Sequence, residues 1–370
     1  MRCCLWTCGF ETGDTMIVCI AEDRGSYDAP LQLLILSLAE HSPNLPVYLF
    51  YPVASIAFTR WLDRQPQVTL STERFRGTRG WSIKPQALLR LLDLGYDDVL
   101  WIDSDIIVTK DITGLFAGLD QKTICATEES LWGQRRDKEN ELWHCHGNSG
   151  ALRVTLWNLK PGRSLSYVLN TAVLRVTFAH RPLPTRWNQM LQLPIYRDAQ
   201  EMPFLSRPPH IASDQDVLTA LLASSEFSHV QIFTFRRGFE IIQFMGLHGY
   251  TLSDRFWSII FGSPAFIHAQ AQKPWIAFRH KERHMSCAAF VRAIYADVSP
   301  YTLSAIRYRQ QLEDGTQWMD AHFLLSRILR NAGFWYPPLV GLPVACMIGF
   351  YVAAKDFTRW LWTKRHRTGS

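Results

Sequence analysis

Short runs in which nearly every position is apolar punctuate the first hundred residues, at 16–20 (Met-Ile-Val-Cys-Ile), 46–51 (Pro-Val-Tyr-Leu-Phe-Tyr) and 99–103 (Val-Leu-Trp-Ile-Asp). A strand with one wet face alternates apolar and polar residues. Unbroken runs of this length therefore predict strands buried on both faces, as in a parallel sheet covered by helices. Helical segments separate them. Asp28, Ala29 and Pro30 suit the start of a helix running Leu31 to His41, and a second helix runs from Pro85 to Leu92 or Leu94, with Gly95 placed to end it. Two or three such strand–helix units make a Rossmann-like half, whose ligands sit beyond the carboxyl ends of the strands. The third run ends at Asp103.

Farther along, Pro182, Pro184, Pro194, Pro203, Pro208 and Pro209 mark long connections, with strand-like runs at 122–126, 150–154, 229–235 and 265–268. From about 283 the pattern turns helical, through Val291–Tyr295 and then Leu303 to Leu329. The chain thus divides into an N-terminal extension (1–15), a main α/β domain (16–295), a helical extension (296–333) and an apolar, then basic and aromatic, tail (334–370). Residues 331–354 hold no charge, whereas 355–367 carry five basic residues and one acidic one. Pro337, Pro338 and Pro343 disfavour a regular spanning helix, and a single span would send the basic tail outward against the positive-inside bias. A segment at the lipid interface followed by a basic aromatic helix on anionic lipid meets both constraints. The alternative is a C-terminal hairpin buried against the domain.

Composition narrows the classes. With 47% apolar and 19% charged residues, the 370-residue chain is neither disordered, nor a coiled coil, nor a polytopic membrane protein. Of its net charge of +6, the segment 355–367 supplies +4, so the body lacks the basic face of a nucleic-acid binder. The cysteines are Cys3, Cys4, Cys8, Cys19, Cys125, Cys145, Cys287 and Cys346. No pair after Cys8 has metal-ligand spacing and no secretory h-region opens the chain. The expectation is reduced thiols in a cytoplasmic protein, peripheral on the inner face of the membrane.

The chemistry centres on Asp103-Ser-Asp105, where a hydrophobic strand gives out. Two carboxylates one residue apart on a turn suit Mg²⁺ or Mn²⁺, which keep some of their water and bind substrate phosphates. Such a cation on a diphosphate would neutralise the charge that grows on it as it leaves. Lys273 is a candidate second cation for the same group, and His268, closing a short apolar run, a candidate nitrogen ligand.

Four motifs then match one family in order: Trp81-Ser-Ile-Lys-Pro85 with Val99–Asp105; Asn148-Ser-Gly150, entering a strand; Asp214-Gln-Asp-Val-Leu218; and His268 with Lys273-Pro-Trp275. The chain resembles glycosyltransferases of the GT-A fold, closest to the retaining enzymes of family 8, which include glycogenin and bacterial lipopolysaccharide sugar transferases. The resemblance implies a Rossmann-like nucleotide-diphospho-sugar transferase fold with a mixed central sheet and a C-terminal helical segment. It implies Asp103, Asp105 and His268 as ligands of Mn²⁺ or Mg²⁺, and Lys273 as the pyrophosphate contact. Ala21, Asp23, Lys84, Asp103, Ser104, Asn148 and Gly150 would bind the donor, with Asp23 and Lys84 near the uridine and Asn148 and Gly150 along the sugar. Asp214 would hold sugar hydroxyls, and Gln215 would lie beside the anomeric carbon opposite the leaving group. The implied partners are a UDP-hexose donor and a glycan, glycolipid or protein acceptor.

Two rival readings use the same residues: a haloacid-dehalogenase-like phosphotransferase with Asp103 as nucleophile, and a non-catalytic, membrane-associated binder on a transferase fold. Glu128 and Glu129 read as solvent-facing carboxylates or as groups that reach the acceptor or sugar, His144-Cys145-His146 as loop residues on the acceptor side, and Trp187 and Asn188 as either an acceptor stack or core packing.

Overall fold

The computed structural model describes residues 16–75, 77, 80–129, 149–243, 250–270, 273–277, 287–312, 315–333, 335–343, 345–347, 350 and 354. The expected extension 1–15, Asn148, the 144–146 loop and the basic run from 355 lie outside the described residues.

The three apolar runs form β1 (Ile17–Ala21), β2 (Val47–Phe50) and β4 (Asp98–Ile102); β3 (Val68–Ser71) precedes β4 in the chain. With β6 (Thr123–Glu128), β7 (Leu169–Thr177) and β8 (Gln231–Phe235) they build a seven-stranded sheet in the order β3-β2-β1-β4-β7-β6-β8. The β3-β2-β1-β4 half is parallel, β7 runs antiparallel to both β4 and β6, and β8 is parallel to β6. This is the mixed α/β class expected. Side chains of β1 alternate between two cores: Val18 and Ile20 face one, Ile17, Cys19 and Ala21 the other. Helix α1 (Asp28–His41) covers the first face. The second is covered by α3 (Lys84–Asp93), by a helix at Pro182–Leu191 and by one at Asp214–Ala223. A short α2 (Ile56–Leu62) connects β2 to β3, and α4 (Thr113–Phe116) precedes β6.

A second sheet fixes the site. Strand β5 (Ile106–Val108) pairs antiparallel with β10 (Phe266–His268), which pairs in parallel with β9 (Ile241–Gln243). Its register sets His268 opposite Ile106, one residue past Asp105, and the Ala269 N–H donates to the Asp105 carbonyl at 3.0 Å.

Two expectations are corrected, and a third region is placed in part. The run at 150–154 is not a strand but part of α5 (Ser149–Leu156), which packs against the helix at Asp214–Ala223, named α8 here after α6 (Pro182–Leu191) and α7 (Pro194–Gln200). Arg153, buried on this helix, pairs with Asp216 of α8 at 2.7 Å. Leu303–Leu329 is not one helix. After α9 (Leu252–Phe261), α10 (Pro274–Ala277) and α11 (Cys287–Asp297), the chain makes α12 (Pro300–Ile306), two 3₁₀ turns and α13 (Leu324–Ala332). Gly315, at φ +72°, lies between the two 3₁₀ turns. The tail is partly docked: Val340 is fully buried with Ile294, Val298 and Leu329, and no helix among the described residues is long and apolar enough to cross a membrane.

At Gly150 a side chain has no room. A Cβ there would stand 2.8 Å from the Ala223 Cβ and 3.0 Å from the Leu165 Cβ. Gly150→Val is therefore expected to lower unfolding free energy by about 1–3 kcal/mol through overpacking, as read by urea denaturation.

Candidate active site

A cavity of about 360 Å³ opens at the carboxyl ends of β1 and β4, where Ala21, Asp23, Lys84, Asp103, Ser104, Asp105, Asp214, Gln215, His268 and Lys273 converge. They come from five separate stretches of sequence. Gly150 is not among the described residues that line it and sits in the α5–α8 contact.

Ligand atoms of Asp103, Asp105 and His268 lie within 4.8 Å of one another. The imidazole Nε2 faces Asp105 Oδ1 at 3.3 Å and Asp103 Oδ2 at 3.8 Å. Burial pulls His268 down to about 4, so the ring is neutral and has a lone pair to offer at physiological pH. Two carboxylate oxygens and one neutral imidazole nitrogen are a donor set that fits Mn²⁺ or Mg²⁺.

Lys84 ties this group to the next. Its buried ammonium lies 3.0 Å from Asp103 Oδ1 and 3.7 Å from Asp214 Oδ2, and donates to Thr171 Oγ1 at 2.7 Å. The Thr171 hydroxyl donates in turn to Asp214 at 3.0 Å. Burial alone would raise Asp103, but Lys84 and His268 hold it below the usual carboxylate range. Asp214 has less compensation, and burial lifts it to about 6 against the pull of Lys84. Trp101 Nε1 also donates to Asp103, at 2.7 Å. Lys273 Nζ contacts Asp105 and donates to the Ala269 carbonyl at 2.5 Å; burial, with Arg24 nearby, pulls it down to about 7.

The two aspartates of the second motif have different work. Asp216 completes a capping box with Ser213 and pairs with Arg153, so it builds the start of α8. Asp214 and Gln215 face the cavity.

Glu129 corrects an expectation. It is buried rather than solvent-facing, and it accepts from Asn170 Nδ2 at 3.0 Å, Gln215 Nε2 at 2.5 Å and Gln270 Nε2 at 2.7 Å. The amide orientations follow from one another. Asn170 Oδ1 accepts the Ala172 N–H, so its NH₂ faces Glu129 and the Gln215 oxygen, 3.1 Å away. Sequence reasoning also missed Asn170 and Thr171, because polar residues inside a strand signal solvent unless their partners are known. Trp187 is core: it is buried, with Nε1 donating to the Asp214 carbonyl at 2.9 Å. Asn188 accepts from Gln86 Nε2 at 3.2 Å. Glu22 accepts from Ser104 Oγ at 2.6 Å and from Arg24 at 2.7 and 2.8 Å, and Asp23 accepts from the Gly80 N–H at 2.9 Å.

The shifts at His268 and Asp214 have opposite consequences for stability. His268 falls from 6.5 to about 4 on folding, so the unfolded chain binds the extra proton in that window and stability drops on acidification. Asp214 rises from 3.8 to about 6, so the folded chain binds the extra proton and stability drops as pH rises through 6. In metal-free buffer, His268→Gln is expected to remove an acid-side loss of up to about 3 kcal/mol. Asp214→Asn is expected to make that loss steeper. Urea midpoints at pH 6.5 and 4.5 for the three chains check both signs.

No protein-family model matches the chain, and no curated protein matches it. Among solved structures it is similar to the bifunctional glycosyltransferase WbbM, at 14% identity and a TM-score of 0.49 over 81% of this chain and 52% of that one. The chain thus spans about half the length of that protein, 52%. It is similar to the galactosyltransferase LgtC, solved in complex with donor and acceptor sugar analogs, at 15% identity and a TM-score of 0.46 over 80% of this chain and 100% of that one. It is also similar to mouse xyloside xylosyltransferase 1, at 15% identity and a TM-score of 0.43 over 69% of this chain and 97% of that one.

Proposed function

We propose that this protein is a metal-dependent glycosyltransferase of GT-A type, which moves a hexose from UDP to a hydroxyl of a glycan, glycolipid or protein and retains the anomeric configuration. The observation that carries the reading is the convergence of Asp103, Asp105 and His268 with Lys84, Lys273 and Gln215 at one cavity above the strand ends. Asp103, Asp105 and His268 would hold Mn²⁺ or Mg²⁺, which when bound would act as a Lewis acid on the departing diphosphate. Lys273 offers that diphosphate a second positive group. Ala21, Asp23 and Ser104 line the same cavity on the side where a nucleoside would lie, and Asp214 presents a carboxylate to sugar hydroxyls.

Retention is supported by which group faces the sugar. Gln215 lines the cavity, and an amide is not among the usual covalent nucleophiles. The Glu129 carboxylate stands behind it with its oxygens taken up by three amides. A front-face path follows: the acceptor hydroxyl attacks from the side the diphosphate leaves, and a diphosphate oxygen takes its proton. Asp103 as a phosphotransferase nucleophile fits less well, because its Oδ1 is already held by Trp101 and Lys84.

Glu129→Gln keeps the volume but cannot accept from all three amides, so it releases Gln215. Turnover is expected to fall by about 10- to 100-fold with donor KM nearly unchanged, measured by steady-state kinetics. The reading as a whole is tested by incubating the protein with a panel of UDP-sugars with and without Mn²⁺ and quantifying free UDP. Mn²⁺-dependent release from one of them is expected. Release of phosphate from phosphate esters, with no UDP from any sugar nucleotide, would overturn it.

A further inference from the structure

Two helices of this protein are built inside out. In α9 the buried residues include Asp254, Arg255 and Ser258, while Phe256, Trp257, Ile260 and Phe261 are 52%, 42%, 67% and 64% exposed. In α13 Ser326 and Arg330 are buried, while Leu324, Leu325 and Ile328 are exposed. A surface helix ordinarily does the reverse.

The inversion has a structural cause on the inner side. The Arg255 guanidinium donates to the carbonyls of Pro337, Pro338 and Val340, at 3.3, 3.4 and 2.5 Å, and Tyr336 donates to the Ser258 carbonyl at 2.8 Å. Arg330 donates to the carbonyls of Asp297 and Met319 at 2.6–2.9 Å, and Leu329 packs with Val340. α9 thus holds the segment 336–340 with polar groups, whereas α13 turns Arg330 onto the carbonyls of Asp297 and Met319 and packs Leu329 with Val340. The apolar residues named above are left facing outward.

The outward residues also say what covers them. On α9 none of the exposed residues is charged; on α13 the one exposed charge is Arg327. No carboxylate stands on either outer face among the described residues. Trp335, Met347 and Phe350 are exposed as well, and the sequence then runs into Lys355, Arg359, Lys364, Arg365 and Arg367 with a single acid, Asp356. Aromatic and aliphatic groups without acidic neighbours, followed by a basic run, are complementary to anionic lipid.

We propose that the outer faces of α9 and α13 insert into the interface of an anionic bilayer and dock the folded domain there, with the basic tail as a second anchor. This extends the membrane contact read from the tail to the body of the protein. It stands independently of the transferase reading.

The test is co-sedimentation of the full chain with phosphatidylcholine vesicles, with and without phosphatidylglycerol. Two double variants, Ile260→Glu with Phe261→Glu and Leu324→Glu with Ile328→Glu, accompany a chain ending at Ala354. The expected result is binding of the wild type to the anionic vesicles and a loss of about tenfold or more in partitioning for each double variant. Their unfolding midpoints and UDP release should be unchanged, and the shortened chain should bind more weakly but measurably. Absence of wild-type binding would overturn the proposal. So would double variants that partition like the wild type while the shortened chain does not bind, which would leave the tail as sole anchor. A dimer in light scattering that the double variants dissociate, without vesicle binding, would make a second copy the occupant and would also overturn it.

Discussion

Asp105→Asn is expected to lower sugar-transfer turnover by about 100- to 1,000-fold. The substitution is isosteric, and the backbone contact that holds this turn, Ala269 N–H to the Asp105 carbonyl, is untouched. What it removes is a full negative charge at a buried position that faces His268 on one side and Lys273 on the other. An amide oxygen is a weaker ligand for a hard divalent ion. Its loss acts where charge builds during departure of the diphosphate, so the effect belongs in kcat. Excess Mn²⁺ is expected to recover part of the activity. Turnover within about threefold of wild type, far short of the several kcal/mol a Lewis acid supplies, would place the essential cation elsewhere.

Lys84→Met is expected to cost stability as well as activity. One ammonium stands between Asp103 and Asp214, itself raised above its ordinary value because the two carboxylates outweigh its burial. Removing one partner of a buried ion pair typically costs about 3–5 kcal/mol, since the charge left behind has neither water nor a counterion. Here two carboxylates are left. Urea denaturation at neutral pH should show a loss of that size, shrinking near pH 5 as the carboxyls take up protons. Adding Asp214→Asn should recover part of it. A variant as stable as the wild type would mean that water reaches these carboxylates.

Much of this site was legible because its parts obey local rules. An apolar run buried on both faces gave β1, β2 and β4, and the end of such a strand in an α/β sheet is where ligands collect, which drew Asp103 and Asp105 forward. His268 was legible as the last residue of a short buried strand. What escaped notice depends on pairing across the sheet. Strand β7 contains Asn170, Thr171 and Arg175, all buried, each satisfied by a partner far away in sequence; Arg175 alone spans Asp98 and the carbonyls of Asp120 and Thr123. Glu129 reads as a surface carboxylate until three amides from β7, α8 and the segment after β10 are brought to it. Likewise Ser149–Leu156 has the branched residues of a strand, yet it coils and meets α8 through the Arg153–Asp216 pair and the close approach at Gly150. The division of labour between Asp214 and Asp216 needed the cap geometry at Ser213.

The central claim, that Asp103, Asp105 and His268 together hold a divalent ion that presents a nucleoside diphosphate to Lys273, is tested most directly by following free Mn²⁺ by electron paramagnetic resonance as protein is added, with and without UDP. The account predicts that UDP tightens binding to one Mn²⁺ per chain, and that His268→Ala and Asp105→Asn each abolish this tightening. Equal Mn²⁺ binding by the wild type and both variants, indifferent to UDP, would contradict it.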